Sequence, residues 1–246
     1  MRICLTTLWV CLGVGVVACA GPPADSVRIP PAPPIDGLVA VTPQLVNVGD
    51  AGAAALRYHD SGDYDRDVAI VAGKARTWLE AHAAATKPAI VFDIDDTALS
   101  NWEILKRDDF GRPIAGPCDL ALDAPCGWAA WDQLGRDPAI MPTLELYRTA
   151  IARNVAVFFI TGRPENQRQA TERNLQAAGY GRYDHLYMVP DGAHFASAVD
   201  FKAPIRAQLE QAGYTIIVNI GDQPSDLIGG HAQQKFLLPD PFYRVP

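Results

Sequence analysis

The sequence predicts an α/β protein with a doubly wound, largely parallel sheet, and three observations support this fold class. Short continuous apolar runs recur along the chain, as expected of strands that are buried on both faces. Segments with apolar residues at helical spacing separate these runs, which is typical of β-α-β units. Reactive side chains follow several of the runs, at the end of a parallel sheet where ligands bind. With 246 residues, the chain is long enough for one large domain with a full core or for two small ones.

The individual elements follow from this pattern in chain order. A helix is predicted over residues 63–85, and Pro88 interrupts it before a strand at 89–92. Further strands are predicted at 155–160, 185–189, 214–220 and 236–238. Helices are predicted between them at 142–153, 165–178 and 203–212. A proline lies near each predicted helix start, where the missing N–H costs least.

Residues 99–137 do not fit the alternation of strands and helices. This interval holds three tryptophans and two cysteines but has no clear helical or strand period. It begins directly after the first predicted strand. We therefore expect a small inserted cap over about 99–137.

The N-terminal segment is predicted to be a processed export signal. Arg2 precedes the apolar stretch 3–18, which is too short to span a bilayer comfortably and is typical of a signal peptide. The stretch ends at Cys19 in a pattern that resembles the bacterial lipobox. We therefore expect residues 1–18 to be removed and Cys19 to carry a lipid. The alternative is an ordinary signal peptide followed by a chance cysteine.

This interpretation also predicts where the protein is located. Residues 19–37 are rich in proline and predict an extended tether, followed by the folded domain at 38–246. The lipid would hold an exported protein on the outer side of the cytoplasmic membrane or in the outer membrane, facing the periplasm or cell surface.

Cys118 and Cys126 are the two cysteines that remain after the signal peptide and the lipid site. An exported chain meets an oxidising compartment, so this pair predicts a disulfide that closes a small loop. Two cysteines alone would make a poor structural zinc site, which usually has four ligands.

The charge argues against one class of partner. The net charge of −7 disfavours a nucleic acid polymer, because proteins that bind the phosphate backbone usually present a basic face. A small anionic substrate is still compatible with local positive charge. No oligomeric state is predicted from the sequence.

Reactive residues follow three of the predicted strands. Asp93 and Asp95 follow the first strand, residues 161–163 (TGR) end the second, and Asp222 follows a later one. Lys202 precedes the helix between the later strands. A lone DxD motif belongs more often to a solvated loop than to an active site. Four such groups in this order favour an active site at one edge of the sheet.

These segments resemble the motifs of the haloacid dehalogenase (HAD) superfamily. The matching segments are DIDDT at 93–97, ITGR at 160–163, Lys202 and GDQPSD at 221–226. With the tail LPDPFYRVP, they resemble more narrowly the subfamily IIIB acid phosphatases, which include bacterial lipoprotein acid phosphatases and plant vegetative storage proteins. The resemblance spans roughly residues 40–246 and implies a HAD-like Rossmannoid fold. Many members have Glu where Asp96 stands.

The spacing of the first motif has a physical explanation. Two residues apart in an extended segment, Asp93 and Asp95 project to the same side. Such a cluster is tolerable if a divalent cation neutralises it, and hard oxygen ligands suit Mg²⁺. The resemblance implies Mg²⁺ ligation by the carboxylates of Asp93 and Asp222 and by the backbone carbonyl of Asp95. It also implies that Asp226 acts mainly by supporting these ligands and not by binding the ion directly.

The resemblance further implies hydrolysis of a small phosphate monoester in two steps. Asp93 would attack phosphorus and form an aspartyl-phosphate, and Asp95 would act first as general acid and then as general base. Asp95 is therefore expected to have a higher pKa than Asp93, and metal binding to the Asp93 carboxylate would separate the two pKa values in that direction. The phosphoryl oxygens would be held by Thr161, the Gly162 amide and Lys202.

Several residues have two interpretations. Arg163 either contacts the substrate or forms a structural salt bridge. Trp102, Trp128 and Trp131 either line a substrate slot or pack inside the cap, and packing is the favoured interpretation for each.

Two alternative functions stay open at this point. One is a non-catalytic storage or binding lipoprotein of the same fold, and the other is a phosphotransferase that uses an alcohol acceptor. The presence of Asp93, Asp95, Lys202 and Asp222 together favours an enzyme, since a non-catalytic relative can lose the nucleophile. The cap has no motif that identifies the leaving group of the substrate.

Overall fold

The structure is a computed structural model that describes residues 45–245. The predicted signal peptide at 1–18, the lipid site at Cys19 and the tether at 19–37 lie outside the described residues. Within the described part of the chain, no helix combines the length and the apolar character needed to cross a membrane.

Five parallel strands form one sheet in the order β3-β2-β1-β4-β5. The strands are β1 (Pro88–Phe92), β2 (Ala156–Pro164), β3 (His185–Val189), β4 (Thr215–Gly221) and β5 (Gln234–Leu237). The central strand β1 places Val91 beside Phe158 of β2 and Asn219 of β4. The predicted α/β fold with a parallel sheet is confirmed.

The helices cover both faces of this sheet. They are α1 (Val48–Asp60), α2 (Asp63–His82), α3 (Trp102–Arg107), α4 (Trp128–Leu134), α5 (Met141–Ala152), α6 (Arg168–Ala177), α7 (Ala198–Gln211) and α8 (Pro224–Leu227). A 3-10 turn at Glu165–Gln167 leads into α6. The sequence analysis did not predict α1 or the short helices α3, α4 and α8.

Alternate residues of the central strand pack into two separate apolar clusters. Ile90 and Phe92 lie in the larger cluster, together with Leu79 of α2. Ala89 and Val91 lie in the smaller cluster, together with Ile205 of α7. Burial on both faces explains why β1 is a continuous apolar run in the sequence.

Helix α7 begins earlier than predicted. The sequence indicated a start at residue 203, but the helix starts at Ala198. The Ser197 hydroxyl accepts a hydrogen bond from the helix N-terminus, and the Ser197 N–H donates to the Asp200 carboxylate, which makes a capping box. Pro204 therefore lies inside the helix, and Lys202 lies in its second turn.

The insertion at 99–137 leaves the sheet after β1 and returns before α5. Its two ends are joined by backbone hydrogen bonds, from Ser100 N to Pro138 O at 2.9 Å and from Ile140 N to Ala98 O at 3.0 Å. Within the insertion, Cys118 and Cys126 form a disulfide bond. The insertion thus begins and ends beside the carboxyl end of the central strand.

Candidate active site

A cavity of about 370 Å³ lies at the carboxyl ends of β1, β2 and β4. The sequence-predicted residues that line it are Asp93, Asp95, Gly162, Arg163, Lys202, Asp222 and Asp226. Thr161 is fully buried and is not among the lining residues. The fold therefore gathers groups that are up to 133 residues apart in the chain, between Asp93 and Asp226.

Lys202 lies between two buried carboxylates. Its Nζ donates to Asp93 Oδ1 and, at 2.6 Å, to Asp226 Oδ1. Burial disfavours the charged ammonium, but attraction to Asp226 and Asp93 outweighs it and raises the pKa of Lys202. Burial also raises the pKa of Asp93 to about 7, although Lys202 acts in the opposite direction. The ion pair is thus held in a low-dielectric site.

Asp226 is fixed by groups from three sides. Its Oδ2 accepts the Gln223 N–H at 2.9 Å, and its backbone carbonyl accepts from Asn219 Nδ2 at 3.0 Å and Arg206 Nη1 at 2.7 Å. A Cβ added at Gly221 would overlap the Asp226 carboxylate. The glycine therefore allows the close approach of this carboxylate to the end of β4.

Asp222 receives hydrogen bonds from distant parts of the chain. Thr97 Oγ1 donates to its Oδ1 at 3.1 Å, and its Oδ2 accepts from Gln223 Nε2 at 2.7 Å and the Tyr243 hydroxyl at 3.4 Å. Burial, followed by repulsion from Asp226 and Asp93, raises its pKa. The sequence analysis missed the roles of Gln223 and Tyr243, although both lie in segments that carried the family resemblance.

Three buried carboxylates form a group that suits a cation. One oxygen each of Asp93, Asp222 and Asp226 lies within 4.8 Å of the others. Lys202 supplies one positive charge to three acidic groups, so a divalent cation would relieve the remaining repulsion. The donors are hard oxygens, which fit Mg²⁺. Both Asp226 oxygens already accept hydrogen bonds, which suits the supporting role predicted for it.

Asp95 is held by a guanidinium. Arg163 Nε lies 3.1 and 3.2 Å from the two Asp95 oxygens, Arg163 Nη2 lies 2.7 Å from Oδ1, and Asn101 Nδ2 donates to Oδ1 at 3.1 Å. Burial disfavours the charged carboxylate, but Arg163 and Asn101 together outweigh it and lower the pKa of Asp95. The expected order, with the pKa of Asp95 above that of Asp93, depends on a metal ion bound at Asp93 and stays a prediction.

Arg163 forms ion pairs with more than one acidic group. Its Nη2 lies 3.3 Å from Asp132 Oδ1 and 3.3 Å from Asp137 Oδ2, and its side chain is only 1% exposed. Its backbone N–H donates to Thr161 Oγ1 at 3.1 Å. These contacts are structural.

The structure contains the salt bridge that was one of the two interpretations of Arg163 from the sequence. The substrate contact stays a prediction. Asp132 and Asp137 were missed, because the insertion has no motif that marks them.

A comparison with protein families identifies the family of this chain. The profile of the HAD superfamily, subfamily IIIB (acid phosphatase), matches residues 44–246. The chain belongs to this subfamily. The family predicted from the sequence motifs is therefore confirmed.

Plant proteins are among the relatives of this subfamily IIIB chain. Acid phosphatase 1 of Solanum lycopersicum is 31% identical over 203 residues, which cover 82% of this chain and 68% of the tomato protein. The stem 28 kDa glycoprotein of Glycine max is 34% identical over 170 residues, or 68% of this chain. Vegetative storage protein 1 of Arabidopsis thaliana is 31% identical over 157 residues, or 63% of this chain. The chain spans 63% of the soybean protein and 55% of the Arabidopsis protein.

The fold is also similar to that of a solved phosphatase. The crystal structure of the class C acid phosphatase from Bacillus anthracis with tungstate bound superposes with a TM-score of 0.63. The sequence identity is 20%, and the match covers 80% of this chain and 86% of the other. This similarity confirms the HAD-like fold predicted for the subfamily IIIB chain.

The loop after β1 contains a left-handed residue. Asp96, where many subfamily IIIB members have Glu, has φ of +51°. Its carboxylate accepts the Asn101 N–H at 2.9 Å and Asn101 Nδ2 at 3.2 Å. A short polar side chain that bonds locally tolerates this conformation better than most others do. Asp96 therefore shapes the loop that carries Asp95.

The three tryptophans of the insertion occupy different environments. Trp128 lines the cavity and lies 5.1 Å from the ring of Tyr243. Trp131 is fully buried, and its Nε1 donates to Asn101 Oδ1 at 3.0 Å. Trp102 stacks on His59 at 3.5 Å. Of the three, Trp128 is thus the one placed to contact a substrate.

We expect Trp128→Ala to raise KM for aromatic monoesters about 3- to 10-fold, because an aromatic pair contributes about 0.5–1.5 kcal/mol. KM for small alkyl phosphates should change little. The measurement is kcat and KM on both substrate classes, together with the melting temperature. Trp131→Ala is the matched comparison and should instead lower the stability by about 3–5 kcal/mol. Equal loss on both classes in Trp128→Ala would assign this side chain to packing.

Proposed function

We propose that the protein is an Mg²⁺-dependent phosphomonoesterase of the acid phosphatase type. The observation that carries this proposal is the buried arrangement of Lys202 between Asp93 and Asp226, with Asp222 beside them, at a cavity open to substrate. Membership of the acid phosphatase subfamily supports it. So does the named acid phosphatase among the relatives.

In the proposed reaction, Asp93 acts as the nucleophile. Lys202 holds Oδ1 of this carboxylate, and among the described residues Oδ2 carries no hydrogen bond, so it is available to attack phosphorus. A bond forms between the Asp93 oxygen and phosphorus as the bond to the leaving oxygen breaks, which gives an aspartyl-phosphate. Water then attacks phosphorus and restores the carboxylate.

The other groups handle the proton and the phosphoryl charge. Asp95 in its protonated form gives a proton to the leaving oxygen, and the resulting carboxylate then takes one from the attacking water. Lys202 and the Gly162 amide stabilise the negative phosphoryl oxygens, and Thr161 precedes Gly162 in the chain. An Mg²⁺ ion held by Asp93, Asp222 and the Asp95 carbonyl supplies, when bound, charge neutralisation at these oxygens.

The test is phosphate release from a panel of monoesters. The panel includes nitrophenyl phosphate, an alkyl phosphate, a sugar phosphate and a nucleoside monophosphate, each with added Mg²⁺ and with EDTA. We expect release with Mg²⁺, loss with EDTA and recovery when Mg²⁺ is restored. A folded protein that releases no phosphate from any monoester would identify a non-catalytic relative. Undiminished release in EDTA would reject the metal dependence.

Asp222→Ala should weaken Mg²⁺ affinity more than it affects the fold. We expect an activity loss of about 10- to 100-fold at low Mg²⁺, of the size seen when metal-site residues are changed, with partial recovery at high Mg²⁺. Activity is measured as a function of Mg²⁺ concentration. Asp65→Ala removes the same charge at an exposed position and should leave the Mg²⁺ titration unchanged. Wild-type Mg²⁺ dependence in Asp222→Ala would remove this residue from the ligand set.

We further propose that the protein is exported and anchored by a lipid on Cys19, which the lipobox-like sequence supports. Cys19→Ala should abolish labelling by a fatty acid analogue in a bacterial host and move the protein from the membrane fraction to the soluble fraction. Cys11→Ala, within the predicted signal peptide, should change neither result. Continued labelling of Cys19→Ala would contradict the proposal.

A further inference from the structure

Two carboxylates of the insertion meet the guanidinium that holds Asp95. Asp132, in α4, and Asp137, after it, each lie 3.3 Å from Arg163 Nη2. Their side chains are only 3% and 0% exposed. The same Nη2 lies 2.7 Å from Asp95 Oδ1, and Arg163 Nε contacts both oxygens of Asp95. Arg163 is therefore held between the insertion and the residue proposed as general acid and base.

Asp137 is itself held rigidly by α6. Its backbone N–H donates to Asn174 Oδ1 at 3.0 Å, and its carbonyl accepts from Asn174 Nδ2 at 2.7 Å. Asn174 is buried, so water does not compete for these two hydrogen bonds. The backbone of Asp137 is fixed in this way, which limits the movement of the carboxyl group that faces Arg163.

The interface between the insertion and α6 is polar, although apolar packing there would cost less free energy. Gln167, Thr171 and Asn174 occur at helical spacing, and all three are buried. Burying polar groups and charges costs free energy that an apolar interface would avoid. Anchoring the insertion alone would not require three carboxylates around one guanidinium.

Carboxyl groups occupy two of the three guanidinium nitrogens of Arg163. Nε and Nη2 contact them, and Nη1 is buried without a hydrogen-bond partner among the described residues. A substrate that contacted Nε or Nη2 would have to displace a carboxyl group first.

We propose that Asp132 and Asp137 are positioning residues that, through Arg163, hold the Asp95 carboxylate in the orientation from which it exchanges a proton with the leaving oxygen. This inference rests on the proposed phosphatase function, in which Asp95 is the general acid. If Arg163 were paired with Asp95 alone, its long side chain could move together with the Asp95 carboxylate. The two carboxyl groups of the insertion contact the same Nη2 that meets Asp95 Oδ1, so they act on the chemistry through Arg163.

The test uses Asp137→Asn and Asp132→Asn, which keep the shape of each side chain but replace its carboxyl group with an amide. We measure kcat and KM for nitrophenyl phosphate, whose leaving group needs little protonation, and for an alkyl phosphate, whose leaving group needs it. The ratio of kcat for the alkyl ester to kcat for the nitrophenyl ester should fall about 10-fold, and KM should stay nearly unchanged. A well-placed general acid contributes roughly 10²-fold or more to the rate, and misplacing it should lose part of that contribution. Asp108→Asn is the control, because it loosens a contact to Cys126 within the insertion and does not touch Arg163. Its ratio should equal that of the wild type.

A double-mutant cycle connects the effect to Asp95. In an Asp95→Asn background, adding Asp137→Asn should leave the ratio unchanged, since the general acid is already lost. Equal loss on both esters, a shared rise in KM, or a further fall of the ratio in that background would overturn the proposal. So would failure of both Asn variants to fold when Asp108→Asn folds normally. A wild-type protein that hydrolyses neither ester would contradict the proposed function instead.

Discussion

Asp93→Asn is expected to abolish phosphate release, with a fall in kcat of at least about 10⁴-fold on every monoester, as for other lost nucleophiles. The amide has no negative oxygen for attack on phosphorus and cannot form the acyl phosphate. The loss should not depend on the leaving group, which separates it from the effect expected at Asp95. The measurements are steady-state phosphate release and trapping of a phosphorylated protein after an acid quench.

The fold should survive this substitution. Lys202 keeps its 2.6 Å contact with Asp226, and the cluster loses one of three mutually repelling carboxylates. The melting temperature is therefore expected to stay the same or rise. Asp65→Asn, at an exposed position of α2, is the matched control for charge and should retain full activity. Substantial turnover by a folded Asp93→Asn protein would reject the covalent mechanism.

The sequence predicted those parts of the site that lie at strand ends. Asp93, Asp95 and Asp222 follow β1 and β4 directly, so the position of each strand in the sheet also placed the residue after it. Continuous apolar runs identified these strands, because both faces of a parallel sheet are buried. The sequence motifs and the pattern of apolar strands therefore indicate the same cavity.

The other parts of the site depend on contacts that no local pattern encodes. Asp132 and Asp137 lie in an insertion without a regular period, and only the folded chain brings them to Arg163. Tyr243 likewise reaches Asp222 from 21 residues further along the chain. Such tertiary contacts are set by packing and not by spacing.

The start of helix α7 was predicted wrongly from the local sequence. Pro204 suggested that α7 begins near it, but the capping box formed by Ser197 and Asp200 determines the start. The difference matters for the site. A helix that begins at Ala198 holds Lys202 within a regular turn, so the backbone at this position is already hydrogen-bonded when its side chain enters the acidic cluster.

Lys202→Met should reduce both stability and activity, because this ammonium has two functions. In the folded protein it compensates Asp93 and Asp226, which are both buried. Removing one partner of a buried ion pair leaves uncompensated charge and costs about 3–5 kcal/mol. In the proposed reaction it also neutralises a phosphoryl oxygen, so kcat should fall about 10²- to 10³-fold. Denaturant unfolding and phosphate release measure the two effects separately.

Adding a second substitution to this variant distinguishes the two functions of Lys202. Asp226→Asn in the Lys202→Met background removes one of the two unpaired charges and should recover part of the lost stability, whereas activity should stay low because no cation faces the phosphoryl oxygen. Lys74→Met, on the exposed surface of α2, controls for the loss of a lysine and should change neither property. If Lys202→Met unfolds at the wild-type denaturant concentration, the ammonium does not compensate the buried carboxylates, and the electrostatic account of this cluster is wrong.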